Sequence, residues 1–388
     1  MIPFLNLQAQ YERIKDEINT KVLEIISAQE FVLGQEVESL EQEVASYSGV
    51  KYGIGVSSGT DALIISLMAL GIEEGEGVVT SPFTFFATAG SIARLKARPL
   101  FCDIEEKSFN LSPLKLEEFL REEVEKRGKT RIKAIIPVHL FGQCAEMDPI
   151  LSLGKKYNIP VVEDACQSIG AEYPSEEGVK KASAMGKAGT LSFFPSKNLG
   201  GYGDGGMVLT DDSDFARKLK LLRVHGSKDA YIYEFIGGNF RLDALQAAVL
   251  RIKLRYVEKW NKERMARAEY YEQRFKDRGL LDEGFITLPQ ALYKKKVANY
   301  HVYHQYVIRA RRRDALKDYL EKNGVASAVY YPLPLHLQKC FSFLNYKKGD
   351  FPQSEKASEE VLALPIYPEL GSDEQEYIIS LIYDFYHK

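Results

Sequence analysis

The sequence contains little cysteine, and its cysteines form no recognisable structural pattern. Only four occur in 388 residues, at Cys102, Cys144, Cys166 and Cys340. None belongs to a closely spaced pair of the kind that binds zinc, and the chain is too poor in cysteine to be a disulfide-rich secreted domain. We therefore expect free thiols, a reducing compartment such as the cytoplasm, and no metal site.

The sequence also lacks a strong charge of either sign and a long apolar run. The formal net charge is −3, which argues against a nucleic-acid partner. The longest clearly apolar stretch, residues 62–72, is too short to span a bilayer, and the first residues lack the basic start and apolar middle of a secretory signal. With 45% hydrophobic residues, the chain is expected to be a soluble cytoplasmic protein without a membrane partner.

The length of the chain exceeds one compact core and predicts two domains, at residues 1–245 and 246–388. In the larger first domain, which includes an N-terminal arm, apolar strand candidates alternate with helices, as in an α/β fold with a mostly parallel sheet flanked by helices. The seven predicted strands are residues 52–56, 77–81, 98–103, 133–138, 160–163, 189–194 and 206–210. An interdomain helix over 243–274, a strand over 301–309 and a helix over 311–323 predict a smaller α+β domain.

The segment LSFFPSKNLGGYGDGG, residues 191–206, places Lys197 between an apolar strand and a glycine-rich turn. A partly buried lysine loses its charge more easily and becomes a nucleophile that can form a Schiff base with an aldehyde, most often pyridoxal phosphate. Residues 201–206 also match the dinucleotide fingerprint, but they lead into a strand and not a helix, so NAD is rejected. Taken alone, a lysine at this position is more often a surface lysine before a turn.

A second segment, IPVVEDACQSIGA over residues 159–171, reads as a buried strand that ends at Asp164. A carboxylate at that edge of an α/β sheet can keep a pyridine nitrogen protonated, which makes the ring an electron sink. The alternative is a helix N-cap after the strand. Gln167 lies three residues further on and could reach the ring hydroxyl.

The anionic end of such a cofactor needs a helix N-terminus, and residues 52–70 supply a strand, a tight turn and a helix in that order. Unpaired amides of Gly59 and Thr60, with the Thr60 hydroxyl, would face a phosphate. The alternative is an ordinary capped helix. In SPFTFFAT, residues 81–88, Phe85 could offer its face to a flat ring, although adjacent aromatics are more often core residues.

Together these motifs resemble the DegT/DnrJ/EryC1/StrS family, the pyridoxal-phosphate-dependent nucleotide-sugar aminotransferases of fold type I, which are aspartate aminotransferase-like. The matching motifs run in family order along nearly the whole chain: PFLNL at 3–7, SSGTDAL at 57–63, EDACQ at 163–167, SFFPSKNLG at 192–200, GDGG at 203–206 and NFRLDALQ at 239–246. A subgroup of sugar dehydratases carries histidine in place of the lysine, and Lys197 argues against that subgroup.

The resemblance implies a role for each matching residue. Lys197 would form the Schiff base and shuttle protons, Asp164 would pair with the pyridine nitrogen, and Gln167 would contact the ring hydroxyl. Phe85 would stack on the ring. The phosphate would be bound by Gly59, Thr60 and Ser192, with Asn239 reaching it from the partner subunit of a homodimer.

The resemblance also implies substrate contacts. Arg241 would hold the carboxylate of the amino donor, L-glutamate, and Tyr330 and Tyr331 would lie by the sugar, with His336 and His225 as weaker candidates. Phe240 departs from the serine or alanine usual in the family and is expected to alter the rim of the sugar pocket.

The predicted function is therefore a homodimeric aminotransferase with shared active sites. It would convert a UDP- or dTDP-linked keto-sugar to an amino sugar, with amination at C3 favoured by resemblance over residues 223–246. Amination at C4 is the alternative, and a non-catalytic regulator that keeps the fold and cofactor is another.

Overall fold

The structure is a computed structural model that describes residues 1–127 and 131–388. The helices of the described residues are α1 (Leu7–Ala28), α2 (Gln35–Ser48), α3 (Gly59–Leu70), α4 (Phe86–Arg94), α5 (Pro113–Leu120), α6 (Met147–Tyr157), α7 (Ser213–Leu222), α8 (Ala244–Asp277), α9 (Arg313–Lys322), α10 (Pro352–Glu360) and α11 (Ser372–His387). Short 3₁₀ turns cover Leu140–Gly142, Leu335–Leu337 and Lys339–Leu344, and a π-helical segment follows α5 at Arg121–Arg127.

The strands of the described residues are β1 (Tyr52–Val56), β2 (Gly77–Thr80), β3 (Arg98–Phe101), β4 (Ile132–Ile135), β5 (Val162–Asp164), β6 (Glu172–Ser175), β7 (Gly178–Lys181), β8 (Ala188–Ser192), β9 (Gly206–Thr210), β10 (Ser227–Asp229), β11 (Ile232–Tyr233), β12 (Ile286–Thr287), β13 (Tyr306–Ala310) and β14 (Val361–Leu364).

The central sheet consists of two ladders that meet side by side. One has the strand order β1-β9-β8-β5 and the other β3-β2-β4, and isolated parallel bridges from Ile135 to Val161 and from Val138 to Asp164 join them. Strand β9 runs antiparallel to both of its neighbours, whereas β5 pairs parallel with β8, and β2 pairs parallel with β3 and β4. The predicted α/β class with a mostly parallel sheet is confirmed.

Helices cover both faces of this sheet, which explains why its strands are almost continuously apolar. Helix α3 is buried over most of its length, because it packs against strands β8 and β9 and against helices α4 and α7. Val37 and Leu40 of α2 belong to a second apolar cluster that extends to the C-terminal strands. Two apolar layers therefore hold the strand ends in fixed positions.

The C-terminal part contains the antiparallel sheet β12-β13-β14, packed by α9 and α10. The predicted strand over residues 301–309 is wrong in its first half, because β13 begins only at Tyr306. The preceding residues bind the N-terminal part instead, since Val302 N donates to Gly142 O (2.8 Å) and Gln305 N donates to Phe141 O (3.3 Å). The predicted domain division at 245 and 246 falls in the first turn of α8 and stays a prediction.

Among the helices of the described residues, none combines the length and the apolar character needed to cross a membrane. No group of three or more His, Cys, Asp or Glu side chains within the described residues is arranged to hold a metal ion. The four cysteines are free thiols.

Candidate active site

A cavity of about 430 Å³ opens where the carboxyl ends of β5 and β8 meet the N-terminus of α3. Most of the predicted site residues line this cavity: Gly59, Thr60, Phe85, Asp164, Gln167, Ser192, Lys197, Tyr330 and Tyr331. They come from segments that are far apart in the sequence, and the sheet brings them together at its carboxyl edge, where α/β proteins bind ligands.

Lys197 lies in a tight turn that follows β8. Its backbone N donates to Phe194 O (2.8 Å). The turn needs glycine at Gly200, where a Cβ atom would lie 2.3 Å from Pro195 O. Burial lowers the pKa of the Lys197 ammonium below its ordinary value, and the nearby Cys166 and Asp164 oppose this only in part. The lysine is thus a half-buried amine that loses its proton readily, and not a surface lysine.

Helix α8 forms hydrogen bonds with the turn that contains Lys197. Gln246 Oε1 accepts a hydrogen bond from Tyr202 N (2.7 Å), and Lys253 Nζ donates to Gly200 O (2.7 Å). Burial lowers the pKa of Lys253 to about 8. The long helix therefore fixes the position of the turn that carries Lys197.

Asp164 ends β5 and is only 5% exposed. Thr88 Oγ1 donates to its Oδ2 (2.7 Å), and Cys166 N donates to its Oδ1 (3.2 Å). No α-helix begins at this point, since turns occupy the residues that follow β5, so the alternative of a helix N-cap is wrong. The carboxylate is oriented by two donors and can accept a further one from a ligand in the cavity.

Gln167 and Tyr331 form a pair on the opposite wall. Gln167 Nε2 donates to the Tyr331 hydroxyl (2.9 Å), while Gln167 Oε1 is buried without a hydrogen-bond partner in the described part of the chain. Burial raises the pKa of Tyr331, so its hydroxyl keeps its proton. The ring of Tyr331 packs edge-on against Phe83, with centroids 5.7 Å apart. An acceptor oxygen is thus left for a donor group of a ligand.

The third part of the site is the N-terminus of α3. Ser58 caps the helix by accepting from Asp61 N (3.0 Å), and the first amides of a helix have no acceptor within it. Ser192 packs so closely against Gly59 that a Cβ atom there would lie 2.7 Å from Ser192 Cβ. This approach leaves a small cradle of amides and hydroxyls, with Thr60 at its edge, which suits a phosphate.

These features fit pyridoxal phosphate. The cavity contains a nucleophilic amine, an oriented carboxylate for a ring nitrogen, an unpartnered amide oxygen and an anion cradle, and Phe85 stands at the entrance with 59% of its surface exposed. An exposed aromatic ring beside a cavity is available to cover a flat ligand.

Four predicted residues lie outside this cavity in the described chain. Asn239 is exposed, and its Oδ1 accepts from the backbone N of Arg241 at 3.5 Å. His225 is also exposed. His336 is buried and lies 3.1 Å from Glu355 Oε1 through its Nε2, which places it in the packing around α10. The roles of these four residues stay predictions, and no observed contact supports the one assigned to His336.

Phe240 also lies away from the cavity lining. It packs against the apolar cluster that contains Val56 and Leu222, and its backbone O accepts from Ser57 N (3.0 Å). The side chain therefore points away from the exposed Asn239, as predicted for extended backbone. The expected effect of Phe240 on the rim of the sugar pocket stays a prediction.

Several contacts in and around the cavity were not predicted from the sequence. In the sequence, nothing distinguishes Thr88, which donates to Asp164, from the other residues of the aromatic segment 81–88. His304 and Gln305 line the cavity, yet they were assigned to a regular strand. His304 and Gln305 lie about a hundred positions after the glycine-rich turn that contains Lys197, so no local sequence pattern connects them to the cavity.

Comparisons with known proteins agree with this geometry. The model of the DegT/DnrJ/EryC1/StrS aminotransferase family matches residues 12–383. A pleiotropic regulatory protein of Geobacillus stearothermophilus is 45% identical over 99% of this chain and 98% of its own. The UDP-N-acetyl-3-dehydro-α-D-glucosamine 3-aminotransferase of Acidithiobacillus ferrooxidans is 39% identical over 98% and 97%. The UDP-2-acetamido-2-deoxy-3-oxo-D-glucuronate aminotransferase of Pseudomonas aeruginosa is 39% identical over 96% and 97%.

Solved structures share the fold over the whole chain. A DegT DnrJ EryC1 StrS aminotransferase from Brucella abortus superposes with a TM-score of 0.92 at 35% identity and covers 100% of both chains. NtdA from Bacillus subtilis, solved with bound cofactor PMP, gives a TM-score of 0.88 at 30% identity, covering 100% of this chain and 85% of that one. This protein therefore belongs to the DegT/DnrJ/EryC1/StrS aminotransferase family.

Proposed function

We propose that the protein transfers an amino group from L-glutamate to C3 of a UDP- or dTDP-linked keto-sugar. That it is a pyridoxal-phosphate-dependent nucleotide-sugar aminotransferase follows from its family. The observation that carries the chemistry is the pairing of Lys197, whose pKa is lowered by burial, with the oriented carboxylate of Asp164 in one cavity.

Each cavity residue then has a task. Bound pyridoxal phosphate supplies an electron-withdrawing ring that stabilises negative charge at the carbon that loses its proton. Asp164 would hold a proton on the ring nitrogen, Gln167 would contact the ring hydroxyl, and Lys197 would bind the cofactor and move the substrate proton. Gly59, Thr60 and Ser192 would bind the phosphate.

The sugar position is argued from the relatives. The two proteins at 39% identity are both named for aminotransfer to a 3-oxo or 3-dehydro UDP-sugar, which favours C3 over C4 and supports UDP as well as dTDP as the nucleotide. Tyr330 and Tyr331 line the cavity wall and would contact the sugar. Their hydroxyls can bond to sugar hydroxyls, and their rings can pack on its apolar face.

A second subunit would complete the site. The hairpin of β10 and β11 precedes Asn239 and exposes Tyr231 to 90% and Ile236 to 93%. Such exposed apolar side chains next to polar binding candidates support an interface with another copy of the chain. Asn239 would then reach the phosphate of the partner subunit, and Arg241 would bind the glutamate carboxylate by two parallel hydrogen bonds.

The test is a screen of oxidised UDP- and dTDP-sugars with L-glutamate, in which mass spectrometry follows the change from ketone to amine. A 3-keto-sugar should be converted and its 4-keto isomer left unchanged, with Lys197→Ala as the inactive control. Conversion of the 4-keto isomer alone would reject the C3 assignment.

The colour of the purified protein distinguishes an aminotransferase from a non-catalytic regulator. One relative at 45% identity is named as a regulatory protein, so the question is open to a direct measurement. The purified protein should be yellow and should lose its visible band when glutamate is added. A band that glutamate leaves unchanged would favour the regulator.

A further inference from the structure

The N-terminal segment, residues 1–6, is hydrogen-bonded to the C-terminal part of the same chain. Ile2 N donates to Gly324 O (2.8 Å), and Ala326 N donates to Ile2 O (3.0 Å). These two bonds form a parallel bridge, and the segment that accepts it, residues 325–328, pairs in turn with β14. The start of the chain is therefore attached to the edge of the sheet β12-β13-β14.

A helix cap holds the other end of this segment. Asn6 Oδ1 accepts from Ala9 N (3.0 Å) at the start of α1, and α1 packs along α8. Phe4 lies between the two attachment points and is half-buried. Its side chain packs against an apolar cluster that contains Phe83 of the N-terminal part and Val307 of β13. The position of the Phe4 ring is thus fixed from both sides of the segment.

The ring of Phe4 contacts the ring of Tyr330, a residue of the cavity lining. Their centroids lie 6.0 Å apart and their planes are tilted by 54°. The neighbouring Tyr331 is held by its hydrogen bond from Gln167 (2.9 Å). Among the described residues no hydrogen bond reaches the Tyr330 hydroxyl, and the aromatic contacts of Tyr330 are with Phe4 and Tyr331. The place of Tyr330 in the cavity wall therefore depends on packing.

We propose that Phe4 is a positioning residue for Tyr330, and that the N-terminal segment thereby sets the shape of the sugar side of the cavity. Phe4 is not among the residues that line the cavity, so it acts through Tyr330 and not by contact with a substrate. A tilted aromatic pair is attractive beyond the area that it buries. The proposal rests on the proposed function, in which Tyr330 contacts the sugar while Arg241 binds glutamate. Loss of the Phe4 ring should therefore weaken sugar binding and leave the reaction with glutamate unchanged.

Substitutions at both positions separate this role from a structural one. Phe4→Ala removes the supporting ring, and Phe4→Tyr keeps a ring and is the matched control. Phe4→Leu also lacks the ring but keeps apolar volume for the cluster, so it serves if the alanine variant does not fold. In the Tyr330→Ala background, Phe4→Ala should have no further effect on sugar binding, because the residue that it supports is already gone. A purely structural Phe4 would act independently, and the two effects would add.

The two half-reactions of one enzyme provide an internal control. Protein loaded with pyridoxamine phosphate is mixed with UDP-N-acetyl-3-dehydro-α-D-glucosamine, the sugar in the name of the Acidithiobacillus ferrooxidans relative, and the return of the visible cofactor band is followed. Phe4→Ala should raise the half-saturating concentration of this sugar about twofold to tenfold, the equivalent of one aromatic pair, while Phe4→Tyr should keep it. The rate of the half-reaction with L-glutamate should be the same in wild type and in both variants.

Hydrogen exchange of residues 326–331, measured by mass spectrometry without sugar, gives a result that does not depend on the substrate. Exchange in this segment should be faster in Phe4→Ala than in wild type and in Phe4→Tyr, because a contact that holds the segment is lost. Equal exchange in the three proteins, an unchanged half-saturating concentration, an equal loss in both half-reactions, or additive effects with Tyr330→Ala would each overturn the proposal. If the sugar is not converted while exchange responds as expected, Phe4 still positions Tyr330 and only the substrate assignment is rejected.

Discussion

Replacement of Thr88 by valine tests the hydrogen-bond chain behind Asp164. Thr88 is fully buried, and its Oγ1 lies 2.7 Å from Asp164 Oδ2. Because an ionised carboxylate only accepts, the hydroxyl proton of Thr88 is used in this bond. Thr84 must then donate to Thr88 across the 3.0 Å between their hydroxyl oxygens. Valine keeps the shape of threonine and removes the donor.

The expected loss follows from the charge of the acceptor. A hydrogen bond to a charged group contributes about 1.5–3 kcal/mol, so Thr88→Val should slow the chemical step roughly tenfold to a hundredfold. Thr84→Val removes a bond between two neutral hydroxyls, which contributes about 0.5–1.5 kcal/mol, and it should slow the reaction less. Thr88→Ser keeps the hydroxyl and is the matched control.

The assay is a single half-reaction with L-glutamate, followed by the loss of the visible cofactor band after rapid mixing. Cofactor content is measured first, so that a slow variant is not mistaken for an empty one. A rate for Thr88→Val within about twofold of wild type, less than one hydrogen bond, would refute the role of this bond. Equal rates for the Thr84 and Thr88 variants would refute the proposed order of the chain.

Five further predictions concern the candidate site residues and the buried Lys253. Lys197→Ala should retain cofactor and abolish transamination, and more than a few percent of wild-type turnover would exclude Lys197 as the catalytic amine. Asp164→Asn should bind cofactor but react several orders of magnitude more slowly, since an amide cannot pair with a protonated ring nitrogen; a near-normal rate would remove that role. Arg241→Ala should weaken glutamate use more than cofactor binding, and Asn239→Ala should do the reverse. Mixing Lys197→Ala with Arg241→Ala subunits should restore part of the activity, whereas inactive heterodimers, verified by native mass spectrometry, would contradict a shared site. Burial lowers the pKa of Lys253 from 10.5 to about 8, so between these pH values the folded state binds fewer protons than the unfolded state. The melting temperature should therefore gain a contribution as pH rises from about 8 to 10.5, and Lys253→Met should abolish this contribution. If the variant and the wild type show the same pH profile of the melting temperature, Lys253 is not a buried charge.

The sequence predicted best those features that depend on a short local segment, namely apolar strands and the residues at their ends. The strands over residues 52–56 and 206–210 have the predicted bounds, because apolar runs of that length between turns have few other ways to be buried. The positions of Lys197 and Asp164 were also predictable, since Asp164 ends β5, Lys197 lies in the turn after β8, and the carboxyl ends of parallel strands meet at the same edge of the sheet.

The missed features depend on contacts between distant segments. Residues 301–305 have the alternation of a strand, but their backbone groups bind residues 141 and 142 and leave no ladder to join. The buried His304 contacts Asn198 and Asn198 donates to Asn261, and no local pattern connects these three positions. Thr88 contacts Asp164, which lies 76 positions later in the sequence. In the sequence alone, Thr88 therefore resembles any other core threonine.

The antiparallel strand β9 has a consequence for the order of events during synthesis. Strand β1 pairs with β9 over its whole length, from Tyr52 opposite Thr210 to Val56 opposite Gly206. A Cβ atom at Gly206 would lie 2.7 Å from Gly59 N, so the backbone of this late strand forms one wall of the phosphate cradle. The nascent chain therefore cannot close this cavity until residue 210 has left the ribosome. The helix at residues 59–70 must wait with one face uncovered for about 140 residues of translation, which takes about 7–28 seconds at about 5–20 residues per second.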